Sequence, residues 1–207
     1  MIVNLPSPET RESRPLVDCL ANRRSIREYT DDFLTPEELS QLLWSAQGIT
    51  GPNSERATPS AGRSYPLRIR ILVRRVASFE PGIYEYQSAN HSLNPVCSPV
   101  SEQLCQQMSI GDQPWLSEAA VVFGIAAESD DFITQFRSQP PLGQRGWRYL
   151  YMESGALAQN VHLQCTALGL GCILVGGFDD TRVKEIFGLP KGTEPTALIC
   201  IGRQRGV

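Results

Sequence analysis

RGWRYLYMESGALAQNVHLQCTALGLGCILVGGFD, residues 145–179, is the stretch whose pattern settles the rest of the chain. Tyr151, Ser154, Ala158, Val161, Cys165 and Leu168 follow one another at steps of three or four, the repeat of a helix with one continuous buried stripe. Leu150, Leu157, Leu163 and Ala167 widen that stripe beyond what a helix lying on a surface carries, so the pattern predicts a core helix. It stops at Gly169-Leu-Gly171, where a glycine can adopt the left-handed cap conformation. Cys172-Ile-Leu-Val175 then reads as a buried strand ending in Gly176-Gly177. Two bare backbone residues at a strand end let a flat ligand approach closely, or they simply turn the chain.

A chain of 207 residues suits one domain, and we expect an N-terminal arm over 1–15 followed by a single domain over 16–207. The arm is polar and bears prolines, which predicts a mobile segment or one packed on a partner subunit. Hydrophobic residues make up 41% and charged residues 20%, ordinary values for a globular protein. A net charge of −3 argues against nucleic acid as the main partner. No apolar run reaches membrane-spanning length and the N-terminus lacks a signal-peptide pattern, so the expectation is a cytoplasmic protein with no membrane association. The six cysteines are scattered with no CxxC, which favours reduced thiols, and two histidines are too few for a histidine-based metal site.

Leu16, Val17 and Leu20 suggest a short helix running into Arg23-Arg24-Ser25-Ile-Arg27. Arginine forks and a hydroxyl match phosphate oxygens in charge and geometry, so this cluster reads as an anion site or as a solvated basic helix end. Thr35, Pro36 and Glu38 form a capping box at the start of a helix that Gly48 stops. The loop over 48–66 is long enough to be functional or disordered, and Ser60-Ala-Gly62-Arg63-Ser64 within it suits a polar ligand. Ile69, Ile71 and Val73 alternate with Arg68, Arg70 and Arg74, predicting a strand with an apolar and a cationic side. Strands are expected near 83–86, 91–93, 119–126 and 197–201, and helices near 101–110 and 179–187. FITQF (132–136) reads as helical, and Pro140-Pro141-Leu-Gly143 forbids a regular element.

There is no GxGxxG after a strand, no P-loop lysine and no GxSxG. What remains is two arginine groups far apart in sequence, a small-polar loop and a Gly-Gly strand end. Together they suit a phosphorylated aromatic cofactor.

Five segments resemble the nitroreductase family: Arg23-Arg-Ser-x-Arg27, Pro59-Ser-Ala-Gly-Arg-Ser-Tyr-Pro66, Glu80-Pro-Gly-Ile-Tyr-Glu-Tyr86, Glu153-x-Gly-x-x-x-Gln-Asn160 and Leu168-Gly-Leu-Gly-Cys-x-x-Val-Gly-Gly-Phe178. The branch they resemble most contains the SagB-type thiazole/oxazole dehydrogenases. The resemblance runs from about Leu16 to Arg203, with residues 97–143 poorly matched. It implies an α+β fold with a central, mostly antiparallel sheet flanked by helices, an intertwined homodimer, and FMN at the subunit interface. By position, Arg23, Arg24, Ser25, Arg27 and Arg203 would hold the phosphate and ribityl groups. Ser60, Gly62 and Arg63 would come from the partner chain, and Gly176 and Gly177 would face the reactive edge of the flavin as the catalytic backbone.

The expectation is therefore an FMN-dependent oxidoreductase, with NAD(P)H as reductant and a small organic acceptor such as a nitroaromatic or quinone, working by a ping-pong mechanism. Azoline-oxidising members carry a Lys-Tyr pair shortly before the long helix, where this chain has Gly146-Trp147. A flavin-dependent dehydrogenase or fragmentation enzyme of the same fold, and a non-catalytic flavin-binding module, are the alternatives.

Overall fold

Alternating apolar residues build one antiparallel sheet whose two faces are both covered by helices. The computed structural model describes residues 2–11, 14–141 and 143–205. Leu142 of the expected irregular stretch, residues 1, 12 and 13 of the expected arm and the last two residues of the expected domain lie outside the described residues. In chain order the elements are β1 (Val3–Asn4), α1 (Leu16–Asn22), α2 (Pro36–Gln47), β2 (Leu67–Val73), β3 (Gly82–Gln87), β4 (Ser92–Cys97), α3 (Glu102–Gln106), α4 (Trp115–Glu118), β5 (Val121–Glu128), α5 (Ser129–Gln135), α6 (Arg145–Leu168), β6 (Gly171–Val175), α7 (Asp180–Ile186) and β7 (Thr193–Gly202). The strands lie in the order β1-β4-β3-β2-β5-β7-β6, and every neighbouring pair is antiparallel. This is the α+β arrangement expected from the sequence. No helix among the described residues is long and apolar enough to cross a membrane.

The period-2 alternation of the central strands divides the core. Ile69, Ile71, Val73, Phe123, Ile125, Ile199 and Ile201 face one layer, where α2 and α6 contribute Leu39, Leu42, Leu150, Leu157 and Val161. Leu72, Val122, Leu198 and Cys200 face the other, against Met108, Leu116, Val183 and Phe187. Fully burying each large aliphatic side chain contributes about 1.5–3 kcal/mol, so this double-sided sheet is the main source of cohesion.

α6 is the core helix that the periodicity predicts, and Gly169 ends it at φ 71°. Its buried stripe is narrower than expected: Leu150, Ser154, Leu157, Ala158, Val161 and Cys165 are buried, but Tyr151 is exposed, and Leu163, Ala167 and Leu168 are half-buried. One flank of the helix, with Tyr151, Met152 and Gly155, faces outward. The capping box at Thr35 is present, with the Thr35 hydroxyl accepting from the Glu38 amide and the Glu38 carboxylate accepting from the Thr35 amide. α3 is shorter than the expected 101–110 helix, and α4 had no signal in the sequence.

The strand expected to have a cationic side does not have one. Only Arg68 is exposed, because α7 covers the second face. Arg70 is buried and spends its donors on the Glu85 carboxylate (2.8 and 2.9 Å) and on the carbonyls of Phe187 and Gly188. A buried guanidinium is tolerable only when paired in this way.

The N-terminal segment is seated on the chain's own sheet: Val3 and Asn4 pair with Leu93 and Ser92. A polar relay fixes it. Ser40 Oγ donates to the Pro6 carbonyl (2.6 Å), so it accepts from His91 Nε2–H (2.7 Å), and His91 Nδ1 accepts from the Tyr86 hydroxyl (2.8 Å). Burial lowers the His91 pKa from 6.5. A histidine held neutral in the fold contributes stability that is fully present above its unfolded pKa, about 6.5, and is lost as pH falls through the lower folded value. Between pH 7.5 and pH 5 the wild type is therefore expected to lose more stability in urea than His91→Asn. Equal losses would place the acid sensitivity elsewhere.

Candidate functional site

The arginine segment is built onto the open edge of the sheet. Ser25 bridges Cys172 in β6, Ile26 N–H donates to the Cys172 carbonyl (2.9 Å), and Thr30 N–H donates to the Arg203 carbonyl (2.9 Å). Two glycines make this seat possible. A Cβ at Gly171 would lie 2.7 Å from Ile26 Cγ2, and one at Gly202 would lie 2.8 Å from the Tyr29 ring. With Ile26 and Tyr29 turned inward, Ser25 and Arg27 project outward and are exposed, and Arg23 is half-buried.

The cluster is less uniform than its spelling. Arg24 turns back to cap α1, donating to the carbonyls of Ala21 (3.0 Å) and Arg23 (2.8 Å). Arg27 lies over the Trp115 ring at 5.5 Å, a cation–π contact that holds the charge beside the edge. Arg203 closes the group at the end of β7, but Glu38 takes its fork at 2.7 and 2.9 Å. Arg23, Ser25 and Arg27 are thus the groups left with capacity for an anion, and no ion pair within 4.0 Å involves Arg23 or Arg27 among the described residues.

Further along the same edge, Leu174 and Gly176 continue the row that begins with Cys172. Cys172 is covered by α6, whereas Leu174 is 44% exposed and a Cβ on Gly176 would meet nothing within 4 Å. Neither Gly176 nor Gly177 has a positive φ. Gly177 is anchored through its carbonyl, which accepts from Ile110 N–H (3.0 Å) and Gln113 Nε2 (2.5 Å). On the outward flank of α6, Trp147 and Tyr151 stack with their ring centroids 6.2 Å apart. Partial burial raises the Tyr151 phenol, and the Glu194 and Asp180 carboxylates push it the same way.

The polar loop stands elsewhere in the chain. A 3-10 turn over Ala61–Arg63 places Gly62 at φ 62°. Ser60 Oγ accepts from Tyr65 N–H (2.9 Å), and Arg63 donates to the Asn53 carbonyl (2.9 Å) and pairs with Glu55 (3.2 Å). Among the described residues, no hydrogen bond or ion pair joins Ser60, Gly62 or Arg63 to the arginine cluster or to Gly176. Two residues that were only part of a spelled motif hold this loop on α6. Glu153 accepts from Ala61 N–H (2.7 Å), and Asn160 Nδ2 donates to Ser45 O, Ala57 O and Thr58 Oγ1, each at 3.2 Å. Burial raises the Glu153 carboxyl, while the Ala61 amide and the Ser60 hydroxyl pull against it. Their signal was the seven-residue spacing, two helical turns, of two polar groups on a buried helix. Trp115, in contrast, sits in a stretch with no pattern.

Residues 20–203 match the model of the nitroreductase family. A candidate nitroreductase of Methanocaldococcus jannaschii is 37% identical over 199 residues, covering 95% of this chain and 94% of that protein. The microcin B17-processing protein McbC of Escherichia coli is 27% identical over 203 residues, covering 93% of this chain and 68% of that protein. Among solved structures, a candidate nitroreductase of Ralstonia eutropha superposes with a TM-score of 0.82 at 24% identity, covering 100% of this chain and 90% of that one.

The glycines give an internal contrast that can be measured. Gly202→Ala forces its Cβ against a Tyr29 ring clamped by two carbonyls, and overpacking of this kind costs about 1–3 kcal/mol. Gly176→Ala meets no atom and is expected to leave the melting temperature unchanged or slightly raised. Thermal unfolding of both variants checks the pair; a large loss at Gly176 would mean that its bareness serves packing within the chain.

Proposed function

The chain belongs to the nitroreductase family, and from that premise we propose that it is an FMN-dependent oxidoreductase passing hydride from NAD(P)H to a small organic acceptor, a nitroaromatic, a quinone or a relative, by a ping-pong mechanism. The observation that carries this reading is one sheet edge with two contrasting parts. An exposed cationic group lies at Arg23, Ser25 and Arg27, and an unfilled space lies before Gly176 on the same edge. A cofactor with a phosphate at one end and a flat ring at the other has those two needs. Arg23, Ser25 and Arg27 would take the phosphate, with Arg24, bonded only to carbonyls, adding positive charge; Arg203 stands beside them in its pair with Glu38. Gly176 and Gly177 would meet the ring, where a backbone N–H stabilises charge developing on it. The chemistry such a cofactor supplies is two-electron storage, so that reductant and acceptor react in turn at one site.

The chain's own residues then have positioning roles. Trp147 and Tyr151 offer a flat aromatic surface beside the ring position. Apolar Leu16, Val17 and Leu20 are exposed on α1, at 60%, 68% and 55%, and support a homodimer that covers them. In that dimer Ser60, Gly62 and Arg63 complete the partner's site. The likeness to McbC favours heterocycle dehydrogenation as a second reading. Against it, a Cβ on Gly146 would lie 2.8 Å from the Ile133 Cα, so a lysine has no room at that position.

Each charge-assisted contact to a phosphate contributes roughly 1.5–3 kcal/mol. Arg23→Ala/Arg27→Ala is therefore expected to bind FMN at least about a hundredfold more weakly and to come off a desalting column colourless, with an unchanged far-ultraviolet spectrum. A double variant as yellow as the wild type would reduce the cluster to a basic surface. The shared site has its own test, in which Arg23→Ala/Arg27→Ala and Ser60→Ala/Arg63→Ala are co-expressed. A verified mixed dimer then holds one intact site in two and regains NAD(P)H oxidation; background activity would place both groups in a site within one chain.

A further inference from the structure

Nearer the middle of the sheet, a polar cavity of about 260 Å³ opens between the C-terminus of α2, the start of β2 and the end of β3. Strands β5 and β7 separate β2 from the β6 edge, so this cavity is distinct from the arginine edge already described. Gln47, Arg56, Tyr65, Arg68, Tyr86 and Gln87 supply its polar wall, and no carboxylate lines it.

Arg56 is the centre of the cavity. Its guanidinium is half-buried over the Tyr65 ring, 4.7 Å from the centroid, and Nη1 donates to Oε1 of buried Gln47 at 2.9 Å. That leaves Nε and Nη2, the edge that binds a planar oxyanion through two parallel hydrogen bonds, with no protein acceptor among the described residues. No acidic side chain pairs with Arg56 among those residues either. The contrast with Arg70 is instructive: that guanidinium is more deeply buried and is fully partnered. Arg68 brings a second cation to the same wall, and its charge is balanced by Glu128, outside the cavity. Burial first, and then the Arg68 charge, lower the Arg56 pKa.

We propose that this cavity is a second ligand site, which binds a compact oxyanion, a phosphate or a carboxylate group, on the free edge of Arg56 with Arg68 beside it. Gln47 and Tyr65 are positioning residues. One holds Nη1, and the other supports the guanidinium plane, so the fork is aimed before the ligand arrives. The volume admits an anion of a few heavy atoms, or the charged end of a larger molecule whose remainder stays outside.

The test uses the protein as purified and the Arg23→Ala/Arg27→Ala variant, which lacks the anion-binding capacity of the other edge. Inorganic phosphate and malonate are titrated separately, and binding is read from the arginine Nε–H resonances and from the melting temperature. Saturable shifts of the Arg56 resonance in the Arg23→Ala/Arg27→Ala background are expected with at least one probe. The probe that acts distinguishes a phosphoryl site from a carboxylate site, and both acting marks a general oxyanion site. Arg56→Met should weaken that binding at least about tenfold, since a charge-assisted hydrogen bond is lost. Arg56→Lys keeps the charge without the fork and should recover only part of it. Arg68→Gln should weaken it less. Absence of any shift with either probe overturns the proposal, and so does wild-type affinity in folded Arg56→Met.

Discussion

The Tyr29 side chain packs against bare Gly202, and the candidate site depends on that contact. Its hydroxyl is shared between the carbonyls of Ile26 (3.0 Å) and Cys200 (3.1 Å), and burial pushes the phenol far up, so it remains a donor. Ile26 makes the matching contact over Gly171. Together they tie the arginine segment to the ends of β6 and β7, where the alternation of an extended chain turns Ser25 and Arg27 outward. Without the two bare glycines the segment would stand off the sheet, and the charges would lose their fixed spacing. A core-packing contact at Gly202 is thus also the condition for placing the candidate anion-binding arginines, which stand 175 or more positions earlier in the chain.

Charge alone does not distinguish working arginines from structural ones in this chain; their partners do. Arg70 is neutralised by Glu85 inside the protein, Arg203 by Glu38, and Arg68 by Glu128. Arg74 and Arg75 donate to carbonyls near the end of α4, and Arg24 does so at the end of α1. Arg23, Arg27 and Arg56 have no acidic partner among the described residues, and each lies at a surface edge or a cavity. A guanidinium held by an aromatic ring or an amide, as at Arg27 and Arg56, keeps donors that no carboxylate within the described residues takes.

The sequence made the scaffold legible where local rules act alone. The 3.6-residue period of α6, its glycine stop and the Thr35 capping box all follow from contacts within a few residues, and all are present. The sequence also singled out Arg23, Ser25, Arg27 and Gly176, which the fold brings to one sheet edge. What was not legible required knowing what covers what. The alternation in β2 correctly separates two faces, but only α7 decides that the arginine face is buried at Arg70. Tyr151 fits the apolar stripe by spacing and still lies outside, because the buried face in that turn is set by Leu150 on one side and Ser154 on the other. Glu38 was read as a cap, and its second role as the partner of Arg203 spans 165 positions that no local pattern connects.

The glycines carry the argument one step further. Gly171, Gly202, Gly146 and Gly124 are bare for reasons inside the chain, since an added Cβ would strike a neighbour at 3.0 Å or less. Gly155 and Gly176 have no such reason: neither has a positive φ, and no atom lies within 4 Å of the missing Cβ. In the middle of α6 a glycine costs roughly 0.5–1 kcal/mol relative to alanine, so Gly155 is an expense that the isolated chain does not explain. Met152 and Tyr151 are exposed on the same flank, and Leu16, Val17 and Leu20 on α1 nearby in the α6 layer. A helix flank that is bare and apolar is suited to close approach by a second backbone, and a bare strand end to a flat ligand. The proposed homodimer and the proposed ring site would each rest on one of these two glycines, so losing Gly155 is expected to weaken the first and losing Gly176 the second.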